Sequence, residues 1–401
     1  MYKKSVQTPV TVCTALLLLL LSSMSIHAQA YLKLTQKAIL VDTHNDLLSQ
    51  STEHGYSIDQ DLKGKTHSDL QRFKQGGVDA QFFSVFCDGL KKEPYRFANT
   101  QIDTLYATIA RNPDKIVLVR TPAELLQAVH DHKLAALIGV EGGHMIENDI
   151  HKLDSLFARG ARYMTLTWNN STPWATSAFE ETHDSLLHQP KGLNEFGKQI
   201  VRHMNELGML VDISHVGEHT FWDVIHTTAK PVIASHSCVY SLCPVPRNLK
   251  DDQIKAIAKN GGVIQLNFYS GFLDSNFNKR NAAFEAKHKA ERDSLVKVHD
   301  GSQFFANEYL YTKYRAEVEM LRAPLSLLID HLDYIVRLAG IDHVGLGSDF
   351  DGIESPPQQL DDVTTYPLIT KALLERGYSK KDIIKILGGN LIRVFKANTK
   401  S

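Results

Sequence analysis

Apolar residues along this chain come in short continuous runs, separated by longer stretches in which they recur every three or four positions. Runs of the first kind cover residues 39–45, 78–86, 134–141, 162–168, 209–215, 231–236, 262–268 and 343–349. They are rich in β-branched and aromatic side chains and predict strands covered on both faces. Residues 115–120, KIVLVR, form a weaker ninth run that predicts an accessory strand. Of the helical stretches, residues 193–208 end on Gly208, the expected C-cap. Residues 324–340 open on Pro324 and close on Gly340. Strands alternating with helices in one dominant rhythm predict an α/β chain folded as a TIM-like (β/α)8 barrel. A doubly wound open sheet is the alternative, and eight principal strands favour the barrel.

One segment breaks the rhythm. Residues 270–322 are polar and charged, and predict an insertion of two helical pieces joined near Asp300-Gly301. It follows the seventh principal strand, so a barrel would carry it on its C-terminal face, where active sites are built. A lid, a dimer contact and a solvated decoration all fit it equally.

The first thirty residues read as a targeting segment rather than fold. Lys3 and Lys4 precede an apolar core at Val12 to Leu21, and Ala28-Gln29-Ala30 is a small-residue cleavage site. The expectation is an exported protein, periplasmic or secreted, cleaved near Ala30, with one catalytic barrel domain over 31–401. An uncleaved anchor is the alternative, and the apolar run is short for a membrane span. The composition is ordinary for a globular chain, 43% hydrophobic and 22% charged. A formal net charge of −1 gives no broad basic field for nucleic acid or an anionic membrane. Past the leader, which holds Cys13, the cysteines are Cys87, Cys238 and Cys243. An odd number leaves at least one free or paired between chains, and Cys238 and Cys243 are spaced to close a small loop.

The chemistry collects at the strand ends. His44 with Asp46, Glu141, Trp168, His215, His236, Asn267 and Asp349 fall at or near the last residue of their runs. In a barrel these ends meet at one face. One histidine at a strand end is more often structural than a ligand. Three histidines with converging carboxylates suit zinc and similar divalent ions. In His44-x-Asp46, alternate residues of an extended chain face one way and reach one ion. Glu141 precedes Gly142-Gly143 and has two oxygens, enough to bridge two ions, while His215 and His236 end successive strands and serve the second. That pattern is built for a metal-bound hydroxide nucleophile. Arg247-Asn248 follows in a Pro-rich turn, and the planar arginine fork matches a carboxylate. Asp349 is the candidate proton carrier, and Asp351, beside Gly352, the candidate turn former. His144 is a weak candidate for the pocket edge. His67, His132, His151, His183, His203, His219, His226 and His331 read as surface or core residues.

Taken together, VDTHNDL, GVEGG, RYMTLT, the block from Gly192 to Gly217, PVIASHS, Arg247-Asn248, GSDFDG and VFKAN resemble the membrane dipeptidase (renal dipeptidase) family of zinc peptidases, in family order over most of the chain. The resemblance implies a barrel of the metal-dependent amidohydrolase kind holding two Zn2+. His44 and Asp46 would bind one ion, His215 and His236 the other, and Glu141 would bridge. Arg247 would hold the free carboxylate of a dipeptide, and Asp349 would carry the proton and engage the amino end. The resemblance also implies tolerance of a C-terminal D-residue, some β-lactam hydrolysis, and a homodimer. The chain departs from the family at Trp168, where a histidine often contacts substrate; Asn169 or Asn170 is the candidate replacement contact. It also departs at Asn170, which stands where a disulfide partner for Cys87 would be, so no bridge is expected there. The polar C-terminus gives no sign of lipid anchoring. Rival expectations are another amidohydrolase activity on lactones, phosphoesters, β-lactams or N-acyl amino acids, and an exported binding protein without catalysis.

Overall fold

The computed structural model describes residues 30–184, 190–298 and 303–400. The leader up to Gln29 and the Asp300-Gly301 junction lie outside the described residues. Nine parallel strands occur where the apolar runs predict them: β1 Val41–Asn45, β2 Ala80–Phe86, β3 Ile116–Leu118, β4 Leu134–Glu141, β5 Ala161–Thr165, β6 Leu210–Asp212, β7 Ile233–Ser237, β8 Val263–Leu266 and β9 Val344–Leu346. Eight of them close on themselves in the order β1, β2, β4, β5, β6, β7, β8, β9, with helices between, as a (β/α)8 barrel. β3 stays outside. It pairs with the first residues of β4, Leu134 to Ala136, below the point at Ile138 where β5 takes over that edge.

Alternate strand residues face two different cores. Phe82, Leu137, Tyr163, Leu210, Ile233 and Val263 pack with Leu391, Val394 and Phe395 of the helix Asn390–Asn398. Phe82 meets Phe395 edge-on, with ring centroids 6.4 Å apart. Their neighbours Phe83, Ile138 and Ile264 pack in the other core, with the surrounding helices. The barrel seam is polar. β1 and β9 share one register pair, Asp42 with Leu346. There the buried Asp42 carboxylate accepts the Ser348 amide at 2.8 Å and its hydroxyl at 2.7 Å, across 306 residues of chain.

The segment after β8 is helical in shorter pieces than the sequence suggests: Ser270–Leu273, Phe277–Lys287, Lys289–Val298, Gln303–Lys313 and Arg315–Glu319. Breaks fall at Asp274, His288 and Tyr314, while the junction expected near Asp300-Gly301 lies outside the described residues. Phe277, Phe284, Leu310, Tyr311, Val318 and Leu321 give these helices a small core of their own. Cys87, Cys238 and Cys243 are all free and buried. The small loop that Cys238 and Cys243 could close does not form. Their thiols instead donate to the carbonyls of Asn267 and Gly271. Among the described residues no helix is long and apolar enough to cross a membrane.

Candidate metal centre

The predicted ligands come from four widely separated parts of the chain and meet at the mouth of the barrel. Their backbone is irregular there. His44 lies inside a register shift of the β1–β2 pairing, between Asp42 and Asn45. His236 lies inside another, between Ala234 and Ser237 of β7. Such shifts re-aim a side chain that strict alternation would point elsewhere. His215 and Asp349 sit past their strands with φ of +64° and +63°. Left-handed backbone at non-glycine residues is uncommon and clusters at functional sites. Asp46 departs from the expected extended geometry: it precedes the helix Leu47–His54 with φ −96° and ψ 20°. Its carboxylate still reaches His44, because the chain turns at the strand end.

The centre is built around Glu141. Its Oε2 is 3.2 Å from His44 Nε2, which also lies 3.4 Å from Asp46 Oδ2 and 3.8 Å from Asp349 Oδ1. Its Oε1 is 2.9 Å from His215 Nε2 and 3.4 Å from His236 Nε2. The two latter nitrogens are 3.0 Å apart. So each oxygen of one carboxylate faces its own set of donor atoms. His44, Asp46 and Glu141 form one set able to hold an ion, and Glu141, His215 and His236 another. Asp349 joins His44 and His236 in a third grouping.

These residues fit divalent cations. His44 Nε2 and Asp46 Oδ1 are buried with no hydrogen-bond partner among the described residues. Orphaned buried polar atoms are rare unless something else satisfies them. The charge balance agrees. Burial would raise the Glu141 carboxyl, but the imidazoles of His44, His215 and His236 outweigh it and hold it well below its ordinary range. Burial keeps His215 neutral, pushed down to about 4, and holds His236 well below its ordinary value too. Burial opposes charge on His44, but the fields of Tyr163, Glu141 and Asp46 outweigh it and raise its imidazole well above its ordinary value. Burial pushes the Asp349 carboxyl well above the usual range. Two neutral imidazoles and a surplus of carboxylate make a cation site.

Each histidine turns its other nitrogen to a fixed partner. His44 Nδ1 is 2.8 Å from the Tyr163 hydroxyl, His236 Nδ1 2.7 Å from Ser235 Oγ, and His215 Nδ1 3.2 Å from Asn169 Oδ1. Ser235 Oγ in turn donates to the buried Asp212 at 2.6 Å. Tyr163, Ser235 and Asp212 have no place in the sequence-level reading. One signal for Tyr163 was available: Gly139, mid-strand in GVEGG, pairs directly with it in the β4–β5 register.

The remaining candidates divide. Arg247 donates from Nη2 to the His236 carbonyl at 3.2 Å and lies over the Phe272 ring, 5.3 Å from its centroid. Its Nε is buried and unpartnered. Trp168 is half-buried, tilted against Phe86 at 5.0 Å and His215 at 6.4 Å. Asn169 and Asn248 each make bonds within the chain. The Asn169 side-chain oxygen belongs to His215. Asn248 uses its amide nitrogen on the carbonyls of Cys243 and Phe272, both at 2.8 Å, which ties the Pro-rich turn to the chain after β8. Asn170 lies against Gly89. Asp351 accepts the His67 amide at 2.5 Å and the Ser68 hydroxyl, so it braces a neighbouring loop. His144 Nε2 faces the Cys87 carbonyl at 3.0 Å. Of the histidines outside the centre, His331 is buried and joins the Val239 amide to the Leu273 carbonyl. Two cavities flank the centre. One of about 490 Å³ is lined by His215, Arg247, Asn248, Phe221 and Tyr240. One of about 550 Å³ lies beside Gly352, between Tyr311, Arg315 and Arg322 and the 63–67 loop.

Comparison with known proteins follows the same lines. The profile of the family described as "Membrane dipeptidase (Peptidase family M19)" matches residues 28–401. The chain is 33% identical over 363 residues to "Dipeptidase 3" of Macaca fascicularis, covering 89% of this chain and 64% of the relative. It is 33% identical over 365 residues to the Mus musculus protein of that name, with the same coverage. The chain thus spans 64% of the length of these curated relatives. Among solved structures, the probable dipeptidase PvdM of Pseudomonas aeruginosa has a TM-score of 0.75 at 24% identity, covering 93% of this chain and 98% of its own. A metallo peptidase from Rhodobacter sphaeroides, liganded with a phosphinate mimic of the dipeptide L-Ala-D-Ala, has a TM-score of 0.72 at 23% identity, covering 90% and 100%. These structures share the fold, and the match over nearly the whole chain assigns its family: the chain belongs to the membrane dipeptidase family of metallopeptidases.

Proposed function

We propose that the chain hydrolyses the peptide bond of dipeptides, including those with a C-terminal D-residue, at a centre of two divalent ions, zinc first among them. The observation that carries this is Glu141, whose two oxygens face two separate sets of ligand atoms 2.9 to 3.4 Å away. His44 and Asp46 would hold one ion, His215 and His236 the other, with Glu141 between. Ions bound there supply Lewis acidity toward the scissile carbonyl and lower the pKa of water toward neutrality. The rest falls to this chain's own residues. Asp349 receives the proton and passes it to the leaving amine, its Oδ2 held by the Asn267 amide at 2.8 Å. Arg247 takes the free carboxylate of the substrate, which limits hydrolysis to the bond one residue from the C-terminus. Trp168 brings an apolar wall with one N–H donor to the edge beside His215 and sets selectivity there. The same proposal includes export with cleavage near Ala30 and action on a small substrate by a homodimer.

Metal removal tests the reading directly. The chelated protein is expected to lose hydrolysis of L-L and L-D dipeptides, and added zinc to restore it. Absence of zinc-dependent cleavage across such a panel sinks the reading, and cleavage of lactones, phosphoesters or N-acyl amino acids in its place identifies a different hydrolase. The role of Arg247 has its own test. Charge-assisted hydrogen bonds contribute about 1.5–3 kcal/mol each. Arg247→Ala is therefore expected to lower kcat/KM for free dipeptides by about 100-fold, at roughly 1.4 kcal/mol per decade. Dipeptide amides, which lack the carboxylate, should be cleaved poorly and equally by both proteins. An unchanged preference for the free carboxylate removes Arg247 from this role.

A further inference from the structure

We propose that Tyr163 is a positioning residue of the metal centre, whose phenol oxygen holds the Nδ1 proton of His44 and leaves the Nε2 lone pair to the ion. The proposal rests on the reading of the site as a metal centre. Its geometry is specific. Tyr163 Oη has one proton, and it donates that proton to the Thr43 carbonyl at 3.1 Å. With that proton given to Thr43, the phenol oxygen is assigned as acceptor 2.8 Å from His44 Nδ1, and Nδ1 as the protonated nitrogen. His44 Nε2 is then free to face the oxygens of Asp46, Glu141 and Asp349, none of which hydrogen-bonds it.

The ring is held as firmly as the hydroxyl. It is fully buried, 5.2 Å from the Phe82 ring and 6.5 Å from that of His44. It also lies across β4 at Gly139, where a Cβ would come within 1.9 Å of its Cζ. Gly139 therefore exists as glycine for the sake of this ring. His215 and His236 are oriented by a loop amide and a serine, whereas His44 is oriented by a side chain from the packed floor of the barrel. Without the phenol oxygen, neutral His44 gains by moving its hydrogen to Nε2, where Glu141 Oε2 at 3.2 Å accepts it. That hydrogen then occupies the place of the ion.

The test is chelator competition with zinc on the full chain. Wild type is expected to bind two ions. Tyr163→Phe, which keeps the ring, is expected to hold one ion with unchanged affinity and the other about 10–100-fold more weakly, the range for losing a partner of a metal-bound histidine. Equal affinity for both ions in the variant and wild type overturns the proposal. Should the variant not fold, zinc-loaded wild type with 15N-labelled histidine decides. His44 is expected to carry a solvent-protected proton on Nδ1, and a proton on Nε2, or one exchanging freely, overturns the assignment. A wild type that binds no divalent ion refutes the metal reading itself, a result distinct from either of these.

Discussion

Glu141→Gln is expected to cost the chain at least one tightly held ion and most of its hydrolysis. The amide keeps the shape of the side chain but offers one oxygen in place of two and loses the charge. Whichever cluster receives that oxygen, the other faces an N–H donor where it needs an acceptor. His44 on one side and His215 with His236 on the other then have no shared anion between them. On the proposed two-ion reading the Glu141 carboxylate would also supply negative charge that two dications require in a buried place, where effective dielectric is low and each charge counts for more than in water. We expect kcat/KM to fall by about 1000-fold or more, roughly 4 kcal/mol of transition-state stabilisation. Metal analysis should show fewer than two tightly held ions, with circular dichroism unchanged. Retention of both ions at wild-type affinity would falsify the bridge.

Asp349→Asn is the second large effect, and it separates chemistry from metal binding. Asparagine is well tolerated in left-handed backbone, so the φ of +63° at this position adds little strain to the variant. The Asn267 amide at 2.8 Å can still donate to the retained oxygen. What is lost is a group that can take up and release a proton. Burial already holds the Asp349 carboxyl well above its ordinary value, which suits a group that must be protonated for part of the cycle. Proton transfer by a positioned side chain contributes about 100- to 10,000-fold. We expect kcat to drop within that range while zinc content stays at the wild-type value. A variant with undiminished kcat excludes Asp349 as the proton carrier. One that loses an ion instead assigns it to the ligands, as its grouping with His44 and His236 allows.

The strands and the identity of the candidate ligands were legible because both depend on simple periodicity. Buried parallel strands are continuous apolar runs, and a histidine or carboxylate closing such a run stands out. β3 was legible as an accessory for the same reason: KIVLVR is shorter and more charged than its neighbours. The details that aim the ligands were not. Nothing in the residue types at His44 and His236 announces a register shift, and periodicity says nothing of the left-handed turns at His215 and Asp349. Alternation along an extended chain predicts that His44 and Asp46 face one way; the structure brings them within 3.4 Å by a turn instead, since Asp46 stands at a helix start. Asn169 and Asn248 show the general difficulty. Polar residues beside a site also carry bonds that sequence does not show: the Asn169 oxygen faces an imidazole, and the Asn248 amide nitrogen meets two carbonyls while its oxygen has no partner among the described residues. Tyr163 escaped because its hydroxyl is three-dimensional information; only Gly139 hinted that a ring lay across the strand.

The Asp42–Ser348 seam has a consequence for how the molecule comes to exist. It joins residues 306 apart, and chains dominated by such distant pairings fold slowly, because loop closure must precede any gain from the contact. His44 lies on one side of this seam and Asp349 on the other. Closing this seam brings the Asp349 carboxylate to 3.8 Å from His44 Nε2. Asp349 is thus the member of the centre that depends on the seam, whereas Glu141 meets His44 through β2 and His215 and His236 through β5 to β7.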